Sequence, residues 1–168
     1  MVIDALEFAR AGQVLEGTVV AREFTRLCQD LPEPQDAGFS WCLAGRQDAV
    51  SGLMWLDVRA QGNVRVICQR CMRPFQLALR VDNTLGLVRD TAQLEAMDAL
   101  ETEDDDPGPE YVVADRHLDV PALIEDELIL VLPYAPRHDV CPDASDGSPR
   151  PGQAKPSPFA VLEQLRKH

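Results

Sequence analysis

LMWLDVRAQGNVRVICQRCMRPFQLALRV, residues 53–81, decides how this chain folds. Met54, Leu56 and Val58 alternate with Trp55, Asp57 and Arg59; Val64 and Val66 flank Arg65; Phe75, Leu77, Leu79 and Val81 alternate with Gln76, Ala78 and Arg80. A period of two is that of a strand with one buried and one wet face. The same pattern runs from residue 38 to residue 88, with Gln61-Gly62-Asn63 read as a turn between the first two runs. The expectation is an antiparallel meander whose arginines share the solvent face.

Helical spacing appears on either side. In TVVAREFTRLCQDLPEP, Val20, Phe24, Leu27, Cys28 and Leu31 fall on one helical face, and Pro32 and Pro34 end it. TAQLEAMDAL, 91–100, has helical composition, and EYVV, 110–113, reads as a short strand. A strand is also plausible within residues 2–8. LDVPALIEDELILVLP gives a helix capped by Asp119, with Pro121 in its first turn and Leu123, Ile124, Leu128 and Val131 among its apolar positions. Glu125, Asp126 and Glu127 are read as its solvent side. The fold class expected is α+β: an antiparallel meander or partly open barrel packed with two or three helices.

This fold fills residues 1–141, interrupted by an acidic loop at 101–109. Residues 142–157 hold prolines and little to bury, and read as a flexible linker. In 158–168, Phe159, Val161, Leu162 and Leu165 suit a short helix, which is marginal alone and should dock on something.

Charge is unevenly spread along the chain. Its 168 residues carry a net charge of −12, which repels bulk nucleic acid and favours basic partners. Residues 95–110 contain eight acids and no base, whereas 59–80 contain Arg59, Arg65, Arg70, Arg73 and Arg80 and no acid. No apolar run approaches the roughly eighteen residues that a membrane span needs. Asp4 and Glu7 stand where a secretion signal would be cationic and then apolar, so a cytoplasmic protein is expected.

The five cysteines are scattered rather than dense, and reduced thiols are expected. Cys28 and Cys42 read as small buried hydrophobes. Cys68 and Cys71 are three positions apart, as are His138 and Cys141, and together they would make a Cys3His zinc site built from two distant segments. Two other readings stand beside it: a structural hairpin turn, and a redox pair. The last wants a helix after the first thiol, and alternating FQLALRV follows instead. No phosphate loop, nucleophile elbow or HExxH is present, and adjacent carboxylates without a pocket make no acid–base pair, so no catalytic residue is assigned.

Three landmarks occur in order: CQRCMRPF at 68–75, EDELILVLPYAPRHDVC at 125–141, and the terminal PSPFAVLEQLRK. Together they resemble the large ribosomal RNA subunit accumulation proteins, or YceD family, over residues 64–168. Cys68, Cys71, Glu125, Asp126, Glu127, Pro133, His138 and Cys141 occupy the positions of its hallmark residues, and Ser157 replaces a common Asn. The resemblance implies a non-enzymatic ribosome-biogenesis factor supporting synthesis, processing or stability of 23S ribosomal RNA, with that RNA or a precursor large-subunit particle as its target. Two modes of action are open. Arg59, Arg65, Arg70, Arg73 and Arg80 would hold RNA; or the acidic loop, the acidic helix (Glu125, Asp126, Glu127) and the tail (Phe159, Leu162, Leu165) would hold a basic ribosomal or processing protein. A zinc or redox CxxC protein unrelated to ribosomes is the remaining alternative.

Overall fold

The structure is a computed structural model and describes residues 1–99 and 110–142. The chain divides into two compact units, Met1–Arg137 and His138–His168, and the sheet and its helices belong to the first. In chain order these are β1 (Val2–Ile3), α1 (Ala5–Arg10), β2 (Val14–Val20), a 3₁₀ turn (Ala21–Glu23), α2 (Thr25–Cys28), β3 (Gly38–Gln47), β4 (Met54–Ile67), β5 (Pro74–Val88), α3 (Thr91–Asp98), β6 (Glu110–Val113), β7 (Leu118–Asp119) and α4 (Val120–Val131). The architecture is α+β. β2 to β6 form an open five-stranded sheet in sequence order, antiparallel except that β6 runs parallel to β5, while β1 pairs with β7.

The alternating runs became strands with the expected parity. Leu56, Val58, Ala60, Val64 and Val66 of β4 and Leu79, Val81, Leu85 and Leu87 of β5 are buried on one face. Against that face pack Phe8 of α1, Leu27 of α2, and Val120, Ile124 and Leu128 of α4. Each fully buried aliphatic of this kind contributes about 1.5–3 kcal/mol.

Two expectations are corrected. Gln61-Gly62-Asn63 is not a turn: β4 runs through it, pairing with β3 up to Gly62 and with β5 along its whole length. The glycine is there because the Phe39 ring lies where its side chain would be, 2.5 Å from the position of a Cβ. The turn falls instead at 68–73, beyond the Ile67–Pro74 pair. Nor does a helix begin near Val20. Val14–Val20 is strand β2, and only Thr25–Cys28 is α-helical, because pairing with β3 takes up the β-branched residues Thr18, Val19 and Val20.

The linker 142–157 beyond its first residue, the acidic loop 101–109 and the tail residues Phe159, Leu162 and Leu165 lie outside the described residues.

Candidate functional site

β4 and β5 extend past the end of β3 as a two-stranded ribbon whose tip carries the first cysteine pair. Beyond Gly62 the edge of β4 has no strand from β3, and buried Gln35 takes that strand's place. Its Oε1 accepts from the Arg65 N–H at 3.0 Å and its Nε2 donates to the Arg65 and Pro32 carbonyls at 2.8 Å. At the tip, the Cys68 N–H donates to the Arg73 carbonyl and the Met72 N–H to the Cys68 carbonyl, both at 2.9 Å. This closes a tight loop around Cys71. Met72 sits at φ 58, the left-handed region that a non-glycine residue enters at a cost of order 1 kcal/mol or more. The Gln69 N–H donates to the Pro136 carbonyl at 2.9 Å, tying the tip to the segment that leaves α4. No helix follows the pair, since β5 begins at Pro74.

In the second unit, the Cys141 Sγ lies 4.0 Å from His138 Nδ1. Among the described residues, one group of side chains is suited to hold a metal ion: Cys68, Cys71, His138 and Cys141, whose ligand atoms all lie within 4.8 Å of one another. Around tetrahedral zinc, bonds of ~2.3 Å to sulfur and ~2.0 Å to nitrogen put neighbouring donors about 3.4–3.8 Å apart. The 4.0 Å separation of Cys141 Sγ and His138 Nδ1 is close to that figure. Three soft thiols with one imidazole favour zinc over magnesium or calcium. Cys68 and Cys141 are buried and Cys71 and His138 half-buried. The remaining cysteines stand apart. Cys28 donates through Sγ to the Ala21 carbonyl at 3.1 Å, and burial pushes the thiols of Cys28 and Cys42 up, away from reactivity.

Of the acidic triplet, Asp126 alone lies on the solvent side of α4. Glu125 and Glu127 are buried, whereas Ile129, Leu130 and Val131 on the following turn are exposed, Leu130 by 72%. Glu125 is turned in because α2 lacks a side-chain cap of its own. Its Oε1 accepts from the N–H groups of Arg26 and Leu27, at 2.6 and 3.1 Å, and its Oε2 from Arg26 Nε at 3.0 Å. Arg26 also donates to Asp126 and to the Ala122 carbonyl, and its carboxylate partners hold its guanidinium pKa above the ordinary value. α4 thereby clamps α2. Glu127 faces β5 and accepts from Asn83 Nδ2 at 3.1 Å.

Burial raises the Glu127 carboxyl above its ordinary pKa, opposed by the Asn83 hydrogen bond and reinforced by nearby Glu110. A carboxyl that holds its proton more tightly when folded contributes stability below its unfolded pKa, and loses it as pH rises through the folded value. Ionised Glu127 therefore opposes folding at neutral pH. Glu127→Gln keeps an oxygen for Asn83 and removes that cost, so the variant should melt above the wild type at pH 8, with the gap closing below about pH 4. Thermal melts at the two pH values check the sign.

The five arginines separate into two groups. Arg59, Arg65 and Arg80 lie on the outer face of the sheet, while Arg70 and Arg73 belong to the loop at the tip. A shallow trough of about 610 Å3 runs over that face, and Ser40, Arg59, Gln61, Arg80 and Asp82 are among the residues lining it. Arg59 is spent on Asp82 at 3.1 Å, and the Arg65 guanidinium reaches the Glu33 carbonyl at 3.4 Å. Trp41, paired opposite Ala60 and partly buried against the core, also lines the trough, and its ring lies over Gly17.

Sequence reasoning missed Gln35, Asn83 and the capping role of Glu125. Asn83 carries a signal: it occupies an inward parity position among Leu79, Val81, Leu85 and Leu87, where a polar side chain implies a buried partner. No local pattern marks Gln35.

Among the described residues, no helix is long and apolar enough to cross a membrane. No solved structure matches the chain. A family model described as "Large ribosomal RNA subunit accumulation protein YceD" matches residues 56–166, a span that takes in the ribbon, its cysteine pair, α4 and the His138–Cys141 segment. The chain belongs to that family of large ribosomal RNA subunit accumulation proteins.

Proposed function

We propose that this protein is a non-enzymatic factor for accumulation of 23S ribosomal RNA that works as an adaptor, gripping a basic ribosomal or processing protein rather than the RNA itself. The family description supplies the link to the large-subunit RNA. The observation that favours protein over RNA is the internal neutralisation of arginine. Arg22 pairs with Asp36, Arg26 with Glu125 and Asp126, Arg46 with Asp57, and Arg59 with Asp82. RNA affinity rests largely on phosphate contacts from unspent cations, and the chain has a net charge of −12 with Arg46 and Arg59 of its sheet already matched by carboxylates. An acidic surface does attract a basic protein, and speeds the encounter.

Within this reading, zinc held by Cys68, Cys71, His138 and Cys141 is structural, fixing the ribbon tip, and the acidic loop and C-terminal segment add contacts to the partner.

Affinity purification of the tagged chain with and without ribonuclease tests the proposal. Basic large-subunit or processing proteins are expected to stay bound after ribonuclease treatment and to leave at high salt. Loss of all partners on ribonuclease treatment, with tight binding of the purified chain to 23S fragments at about 0.15 M salt, would overturn it.

A further inference from the structure

The C-terminal half of α4 is inverted relative to an ordinary surface helix: its acids Glu125 and Glu127 are buried while Ile129, Leu130 and Val131 face outward. Burial of Glu125 is explained by its hydrogen bonds to α2. Exposure of the aliphatic turn has no such explanation within the first unit. Leu130 and Val131 form one wall of a groove of about 490 Å3 whose other wall is β5, and Arg80, Asp82, Glu110 and Glu127 supply its charged groups. Three carboxyl groups thus face one guanidinium, and Asp82 is already bonded to Arg59 from the outer face. Asn83 Nδ2 lies between Glu127 and Glu110, at 3.1 and 3.5 Å, and holds their two oxygens on one side of the groove.

An apolar strip beside converging carboxylates is complementary to a segment with an aliphatic or aromatic side chain next to lysine or arginine. Such a segment would cover Leu130 and Val131 and place its cation between Glu110 and Glu127, whose mutual repulsion it would relieve. We infer that the groove between β5 and the end of α4 is the docking site for a lysine- or arginine-rich segment of a partner protein, seated on Leu130 and Val131 and held by Glu110 and Glu127. The inference rests on the adaptor reading and gives it an address: the contact is made by one turn of α4 and one edge of the sheet. The occupant is a protein because nucleic acid would meet repulsion from the same carboxylates.

The test uses the full chain. A photo-crosslinking benzoylphenylalanine replaces Leu130, with Val50, 98% exposed in the loop between β3 and β4, as the control position. Cross-links from position 130 are expected to map to a basic segment of another protein and to be absent from position 50. Second, Glu110→Lys and Leu130→Asp are combined in one variant. Both residues are exposed, so its melting point should stay near that of the wild type, which a thermal melt verifies. Recovery of the basic partners after ribonuclease treatment should fall at least tenfold. Partners retained by this variant would sink the groove and leave the adaptor reading standing; partners absent from the wild type as well would sink both. Cross-links from position 130 to residues 158–168 of the same chain, to a second copy or to RNA would also overturn the inference.

Discussion

Cys68→Ser is expected to strip the protein of zinc. Protein purified without chelator should carry about one zinc per chain, and Cys68→Ser and Cys141→Ser should each carry less than about a tenth of that, because a tetrahedral structural centre does not survive loss of one of four ligands. Cys28→Ser serves as the control, since that thiol bonds to the Ala21 carbonyl and is no member of the group. The energetic consequence follows from mass action. A site saturated a thousandfold above its Kd stabilises the folded chain by about 4 kcal/mol, and at roughly 3 °C per kcal/mol for a chain of this size the variants should melt about 12 °C lower. Damage should be local before it is global. The sheet core around Leu43, Leu56 and Val58 is built without the cysteines, whereas the ribbon past Gly62 has strand neighbours only within itself. Hydrogen exchange should therefore accelerate first at Val64–Cys68 and Phe75–Leu79. A protein that holds no zinc, with unchanged melting and exchange in Cys141→Ser, would reduce the pair to a turn that happens to contain thiols.

What was legible in the sequence follows the range of the interactions involved. Period-two alternation is a local record of burial, so β4 and β5 and the inward parity of their residues were readable, and the break at Pro133 placed the end of α4 within two residues. Gln61-Gly62-Asn63 misled because its glycine answers to Phe39 across the sheet, a contact that no window of neighbouring residues records. β2 was hidden for a related reason: Val20, Phe24, Leu27 and Cys28 share a helical spacing, but Phe24 and Leu27 reach the core from a single short turn after the strand has ended. The four candidate ligands could be named from the sequence because two paired spacings of three stand out by themselves, independent of the 66 residues between them. The acidic triplet misled for the opposite reason. Three adjacent carboxylates look solvated, and only the uncapped start of α2, about a hundred positions earlier, explains why one of them turns inward.

Removing that carboxylate should cost more than any other single polar substitution among the described residues of the first unit. Glu125→Ala takes away the acceptor for the N–H groups of Arg26 and Leu27 and for Arg26 Nε, and Leu27 is itself a core residue at 3% exposure. An N-cap is worth about 1 kcal/mol, and each buried donor left without an acceptor adds about 1–3 kcal/mol, so a loss of roughly 3 kcal/mol is expected. A melting point lower by about 9–10 °C corresponds. Glu125→Gln separates capping from charge: its amide oxygen can still accept from both backbone N–H groups, so it should recover about half of the loss. Asp126→Asn, at an exposed pair, should shift stability by less than about 0.5 kcal/mol. This ordering discriminates between two roles for the triplet. Were the carboxylates there only to meet a partner, all three variants would melt like the wild type and differ in partner recovery alone. Were they only structural, Glu125→Gln would regain partner binding in step with stability. Glu125 thus fixes α2 against α4, and α4 in turn holds Leu130 and Glu127 at the groove, so the melting order and the partner recovery of these variants should move together through one helix.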